Sequence, residues 1–490
     1  MLSSLIKNRF LFVLIFLPTI IIGNLDLTNL SSFKLFEYYS SLGEDAAQLL
    51  NSISFYHNQG FYLSSIWDNA YSPFIDSLSF VVGFVISLLM SQEITSIIIS
   101  TTIVYILPLL IINIELILKI KQNNLIELIN KIVIIISLNL IISPSIKNGH
   151  ISLIYSVILL YFALHKKNNS LKKYVYLIFA VLSWYPSIIL IALLFLEPAL
   201  KSFHEPNRSL FRNKVVYFSV ISLIITMITV YWFVESAKNK AEWEFDLLRE
   251  SGGVENSSIS IILTLLLLII VIMFFSDRLK TSLNFEPIYL ISVPLVFFIL
   301  FNVFYVATSS SYGIQKLLTF YSYILLLLAI SYYIQLSQVN TIQMGYASYI
   351  VPTILLIFIV FGNSTKSFIE LYSRSNVESQ SGINETQFSH VVTLLNSNSN
   401  YYIFQEDYLR DGNNLQSYLT SRWASSLLGK DDRRIANQMG WRFTLLGRIK
   451  IEEFFCCYSS AKSKFLMFDG DSYVYLDPNQ VIRILNRQNN

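Results

Sequence analysis

Ser41-Leu-Gly-Glu-Asp-Ala-Ala-Gln48 lies within the stretch from Asn24 to Pro73 around which the whole chain is organised. It follows the first hydrophobic segment and carries a carboxylate pair, Glu44-Asp45. The spacing from there predicts an amphipathic helix: Ala46, Leu49, Leu50, Ile53 and Tyr56 fall on one side, Asp45, Gln48 and Ser52 on another. Gly60 ends the pattern. Trp67-Asp-Asn-Ala-Tyr-Ser-Pro73 then leads into another apolar run. The pattern reads as an acidic group held at a membrane surface by a helix lying along that surface.

Composition supports the membrane setting. Of 490 residues, 54% are hydrophobic and 14% charged, against roughly 25% charged in soluble domains, and the mean hydropathy is +0.54. Apolar runs long enough for a hydrocarbon core of about 30 Å recur along the chain. The net charge of +3 gives no reason to expect a nucleic-acid partner. Cys456 and Cys457 are adjacent; neighbouring cysteines rarely form a relaxed disulfide, and no metal-ligand spacing accompanies them.

Candidate crossings are 10–23, 94–118, 125–142, 149–164, 174–197, 215–235, 258–275, 287–307, 313–335 and 346–362. The N-terminal run lacks a small-x-small cleavage site and is kept as an anchor. Basic residues set the orientation: Lys7 and Arg9, Lys119 and Lys121, Lys166 to Lys173, Lys201 to Lys214, and Arg278 with Lys280 belong on the cytoplasmic side. That assignment holds if the run 75–90 stays on the outer side as a surface or re-entrant helix. It also requires 174–197 to break at Ser183-Trp-Tyr-Pro-Ser187, where proline removes a backbone donor. The result is a mainly α, polytopic helical protein of about eleven crossings. Its N-terminus is cytoplasmic, and the loops 24–93, 143–148, 236–257 and 308–312 gather outside. The expected location is the plasma (inner) membrane.

From Asn363 the composition turns polar. A helix over 384–396, strands at 401–404, 464–468 and 473–476, and a helix over 414–428 predict a small soluble α/β domain. The expected division is 1–362 for the membrane part and 363–490 for an extracytoplasmic domain.

Several residues have the chemistry of a site. A carboxylate beside an apolar helix face can have a raised pKa and serve as a general base, which points to Asp45, with Glu44 sharing or orienting that role. Lys316, in Ser311-Tyr-Gly-Ile-Gln-Lys316, falls about one turn into a membrane helix, where an ammonium can hold a phosphate as a point charge. In Ser143-Pro-Ser-Ile-Lys-Asn-Gly-His150, read as an outer turn that Pro144 opens, Lys147 suits a phosphate and His150 a sugar hydroxyl. Trp184 and Tyr185 would offer aromatic faces at the broken helix. Each has a plainer reading: a first-turn helix charge for Glu44-Asp45, snorkelling for Lys316, a capped histidine for His150, headgroup anchoring for the aromatics. There is no Walker loop, Gly-rich dinucleotide loop, HExxH or Cys/His cluster. No cofactor is expected, and no residue pattern points to a divalent cation.

The layout resembles the GT-C superfamily of integral-membrane glycosyltransferases, which use polyprenyl-phosphate sugars. The likeness rests on four features: the acidic Glu44-Asp45 in the first outer loop, the apolar helix introduced by Tyr71-Ser-Pro73, the turn from Pro144 to His150, and Tyr312-Gly-Ile-Gln-Lys316. The last is similar to a Tyr-Tyr-x-x-Lys motif of some relatives, with Gly313 at the second tyrosine. The second acidic residue that several members carry in the next outer loop is missing. The resemblance implies sugar transfer from a polyprenyl-phosphate donor to a glycan, lipid or protein acceptor at the outer face, with inversion. Asp45 would be the base and Lys316, with Tyr312 beside it, would face the departing lipid phosphate in one outward-opening pocket. The alternatives are a transporter or flippase, or a polymerase, of lipid-linked saccharides. Against the first, no repeat is visible and the hydrophobic segments are nearly free of mid-membrane charge.

Overall fold

The computed structural model describes residues 31–40, 49–50, 53–54, 57, 77–90, 94–119, 125–147, 150–165, 170–184, 187–188, 191, 319–324, 326–328, 330–331, 334, 384–396, 401–405, 464–469 and 472–476. These residues are predominantly helical. The helices are α1 (Ser32–Ser40), α2 (Ser77–Leu89), α3 (Ile94–Leu118), α4 (Leu125–Lys147), α5 (Ile151–His165), α6 (Ser170–Ser183) and α7 (Glu385–Asn396). Three strands follow: β1 (Tyr401–Gln405), β2 (Lys464–Asp469) and β3 (Ser472–Leu476). Among the described residues, Ser96–Leu118 is the one helix long and apolar enough to cross a membrane. Leu78–Leu89, Lys131–Ile142, Ile151–Leu164 and Thr319–Leu328 are shorter apolar helices.

The chain divides into two compact units. One comprises residues 1–21, 108–145 and 152–369, the other 22–107, 146–151 and 370–490.

In the first unit, the later part of α3, most of α4 and α5, α6 and the helical residues from Thr319 onward share an aliphatic core. Leu109, Ile112, Leu116, Ile134, Ile135, Leu138, Leu160 and Leu326 are all buried. α5 is buried on almost every side, as expected of a central helix that is apolar all round. The Ser156 hydroxyl of α5 donates to the carbonyl of Ala180 in α6 at 2.9 Å. A residue with no side chain beyond Cβ at 180 permits that approach.

α4 differs from expectation. Pro144 was read as the end of the helix, yet α4 continues to Lys147. A proline deprives only one carbonyl of its donor, so near a helix end the loss is a single bond. The Tyr323 phenol donates to the Ile141 carbonyl at 3.2 Å, one turn before the proline, and supports the helix there. α6, in contrast, stops at Ser183, and residues 187, 188 and 191 are helical again. The interruption at the Trp184–Ser187 segment is the expected one.

In the second unit, α1 is a helix that the sequence reading left as loop. Ser31 caps it, its Oγ accepting the Lys34 N–H at 3.1 Å and its carbonyl the Leu35 N–H. Phe36 of α1 stacks on Phe388 of α7 with ring centroids 5.0 Å apart, and Phe33 lies tilted at 5.6 Å. α2 carries small residues at every fourth position, Ser79, Gly83 and Ser87, all buried. A Cβ on Gly83 would come within 2.4 Å of Ile53 Cδ1 and 3.0 Å of Val104 Cγ2. Glycine here lets α2 close on the helical residues 49–57 and on the first half of α3. The three strands form one sheet in the order β1-β2-β3. β1 runs parallel to β2, with Ile403 opposite Leu466, and β2 antiparallel to β3, with Asp469 opposite Ser472. The helix expected over 414–428 lies outside the described residues.

Among the described residues, Phe388, 4% exposed, is the one ring that contacts both Phe33 and Phe36. Phe388→Ala should cost about 3 kcal/mol, the usual range for a deleted core aromatic. Thermal unfolding of the purified variant checks this, and release of α1 should appear as faster proteolysis within residues 31–40.

Candidate functional site

In apolar surroundings a side chain that can hydrogen-bond is the exception, so the site is built from those exceptions. In the first unit three sets stand out. At one end of the helix that begins at Thr319, the Tyr323 hydroxyl lies 2.9 Å from Ser145 Oγ, both groups buried. Phe320, one turn earlier on the same helix, packs against Trp184 with centroids 4.7 Å apart and planes at 53°. The indole is 9% exposed. Its ring is occupied by Phe320, so Trp184 serves to seat the helix break and does not present an open stacking face.

Beside it is Ser187, which is fully buried. Its N–H closes a turn onto the Trp184 carbonyl at 3.0 Å, but its Oγ has no hydrogen-bond partner. A serine opening a helix ordinarily turns its hydroxyl onto a first-turn N–H. Leaving a buried hydroxyl unmatched costs about 1–3 kcal/mol. Ser183 differs: its Oγ donates to the Phe179 carbonyl at 2.7 Å.

The second set lies farther along the same helix, at Ser331. Lys119 Nζ donates to Tyr161 Oη at 2.6 Å, Ser331 Oγ at 3.0 Å and Glu115 Oε1 at 3.1 Å, and the Tyr161 hydroxyl donates in turn to Ser331 at 2.9 Å. Three ammonium hydrogens thus have three acceptors. Burial pushes the Lys119 pKa down from the ordinary lysine value, and Glu115 pulls the other way. The third set is Asn113 of α3 and Asn139 of α4, whose amides bond reciprocally at 3.2 and 2.9 Å. Asn139 also donates to the Ile135 carbonyl at 2.8 Å. These sets were missed from sequence, although Asn113, Glu115, Lys131 and Asn139 within apolar runs were a readable signal. Lys131 is 1% exposed.

In the second unit, His57 belongs to the helical segment that follows the acidic pair. Its Nδ1 lies 3.1 Å from Ser87 Oγ, and Ser87 donates to the Phe84 carbonyl at 2.7 Å. With Ile53 over Gly83, the contacts fall one turn apart on both helices. Nε2 of His57 is buried without a hydrogen-bond partner. Burial lowers the His57 pKa below its ordinary 6.5.

Of the residues singled out from sequence, His150 stands immediately before α5 and is 5% exposed, which sets aside a solvated imidazole. Lys147 is the last residue of α4; its side chain lies outside the described residues. Glu44, Asp45, Tyr185, Tyr312 and Lys316 also lie outside them. Among the described residues no group of three His, Cys, Asp or Glu is placed to hold a metal ion.

Two measurements test these bonds. Asn113→Leu or Asn139→Leu alone breaks both reciprocal bonds while keeping one polar amide in place and should lower stability by about 1 kcal/mol, whereas the double leucine variant should be close to wild type; thermal unfolding of all three reads the coupling. For His57, the docked ring resists a proton that the unfolded ring accepts below pH 6.5. Its contribution is therefore complete above that pH and declines as the pH falls. Melting temperatures between pH 7.5 and 5 should fall less steeply in His57→Asn.

No protein-family model matches this chain, and neither does any curated protein or solved structure.

Proposed function

We propose that the protein is a membrane glycosyltransferase that moves a sugar from a polyprenyl-phosphate donor to a glycan, lipid or protein acceptor at the outer face of the plasma membrane. In this reading about eleven segments cross the bilayer. The N-terminus is cytoplasmic, residues 1–362 form the membrane part, and residues 363–490 form an extracytoplasmic α/β domain.

One observation supports this reading above others. Ser145 and Trp184, from two segments assigned to the outer side or to the broken helix, meet Tyr323 and Phe320 on the helical segment described from Thr319. Segments assigned to the cytoplasmic side meet at the opposite end of the same helix: Lys119, Tyr161 near the end of α5, and Ser331. The contacts sort the segments as the basic residues do. Phe320 and Tyr323, which carry the contacts at the outer end, stand four and seven positions after Lys316 in sequence. The stacking of α1 on α7 likewise joins the first outer loop to the tail, both assigned outside.

The chemistry follows from residue types. Asp45 takes the proton of an acceptor hydroxyl as that oxygen attacks the anomeric carbon, and Glu44 shares or orients the base. The C–O bond to the lipid phosphate breaks with inversion. Lys316 meets the charge that develops on the phosphate. Tyr312, Lys147, His150 and Tyr185 contribute to donor binding. The described polar pairs also bear on the transporter reading. Asn113 and Asn139 bond to one another and Lys119 is saturated, a pattern that fixes helices and does not line a path.

The test is turnover. Purified wild-type protein given a radiolabelled polyprenyl-phosphate sugar should release free lipid phosphate, and Asp45→Asn should reduce that at least about a hundredfold, the scale of a lost general base. Near wild-type transfer by Asp45→Asn would eliminate Asp45 as the base, and binding without turnover in the wild type would favour a transporter.

A further inference from the structure

We infer that the Ser187 hydroxyl is a binding group for the sugar of the lipid-linked donor, an assignment that rests on the transferase reading above and adds a contact to it. Ser187 is fully buried, and among the described hydroxyls at the helix break its Oγ alone has no partner. Ser183 is bonded to Phe179, and Ser145 and Tyr323 are bonded to each other. The turn from Trp184 to Ser187 and the packing of Trp184 on Phe320 hold the residue in place. A native chain seldom leaves a buried hydroxyl unmatched without a use for it.

The identity of the ligand group follows from charge. The described side chains around the break, Ser145, Ser183, Trp184, Phe320 and Tyr323, are all neutral. A phosphate buried against them would lack a counter-charge, whereas a sugar hydroxyl is neutral and both donates and accepts, as serine does. The phosphate is left to Lys316, to which the proposed mechanism already assigns it, and the sugar to Ser187. Trp184 is a positioning residue in this scheme, since its ring is turned to Phe320.

The experiment compares wild type with Ser187→Ala, both in lipid nanodiscs, using two probes: undecaprenyl phosphate bearing mannose, and undecaprenyl phosphate alone. Without probe, the alanine variant should melt about 2 °C higher, because an unmatched buried hydroxyl is gone. It should bind the mannosylated lipid about tenfold more weakly, the loss of one good hydrogen bond, and the bare lipid phosphate as wild type does. Equal weakening toward both probes, unchanged binding of the mannosylated lipid, or a lower melting temperature each overturns the assignment. If wild type binds neither probe, the transferase reading falls and this one with it; if wild type binds both and the variant keeps the preference for mannose, the Ser187 assignment alone falls.

Discussion

Between helices that are apolar on every side, burial alone does not say which helix should meet which. Leucine and isoleucine pack acceptably against many surfaces, and a rotated or shifted helix buries nearly as much. Hydrogen bonds do discriminate, because a misplaced partner leaves a polar group stranded in an apolar medium. In the first unit each of these choices is made by named atoms. Asn113 with Asn139 sets α3 against α4, Ser156 with the Ala180 carbonyl sets α5 against α6, and Ser145 with Tyr323 ties α4 to the helix from Thr319. Lys119 adds a second bond to that last helix through Ser331 and one to α5 through Tyr161. The polar residues are few, and each acts on register more than on total stability.

The second unit uses a different device. Its contacts depend on shape: Phe388 between Phe33 and Phe36, and Ile53 against the bare backbone of Gly83. The bond from His57 to Ser87 then fixes the one rotation at which Ile53 finds Gly83, since both pairs repeat at one helical turn. The segment that carries this docking is the one that follows Glu44-Asp45 in sequence.

Local rules made part of this legible. The limits of α3 follow from a predominantly apolar run that needs no tertiary information, even with Pro108, Asn113 and Glu115 inside it, and the interruption after Ser183 follows from Pro186. The strands from Tyr401, Lys464 and Ser472 followed from β-branched and aromatic runs bounded by turn residues. α1 was missed because Ser32–Ser40 is short and rich in aromatics, and it is stabilised by Phe388 more than 350 residues away. Pro144 was overread: a helix tolerates proline where few hydrogen bonds remain to be lost. The polar pairs were invisible as pairs. That Asn113 and Asn139 each need a partner is a property of sequence; that they are each other's partner is a property of packing. For the site, the turn motif singled out His150 for a sugar hydroxyl but carried no sign that the residue is buried. Ser187 was quoted in the break without any sign that its hydroxyl would stand unmatched.

The distribution of residue types across the helices carries one more argument. On α2, the outward residues are Val81, Val85, Leu88 and Leu89, while Ser79, Gly83 and Ser87 face inward. On α6, Tyr174, Val175, Ile178 and Phe179 are outward, and Ala180 and Ser183 inward. On α3, Ile103, Ile111 and Leu118 are outward, and Ser100, Thr101, Thr102 and Asn113 are buried. The Ser100, Thr101 and Thr102 hydroxyls of α3 are satisfied within the helix by the Ile97 and Ile98 carbonyls at 2.6 to 2.8 Å, so they need neither water nor a neighbour. In water such an arrangement is backwards: aliphatic faces of this kind would drive association, and the polar side chains would belong outside. In hydrocarbon it is the economical order, because the solvent rewards aliphatic surface, while small and hydroxyl-bearing residues let helices approach and bond. The same distribution recurs on α2, α3 and α6, and it supports the proposed bilayer setting alongside overall hydropathy.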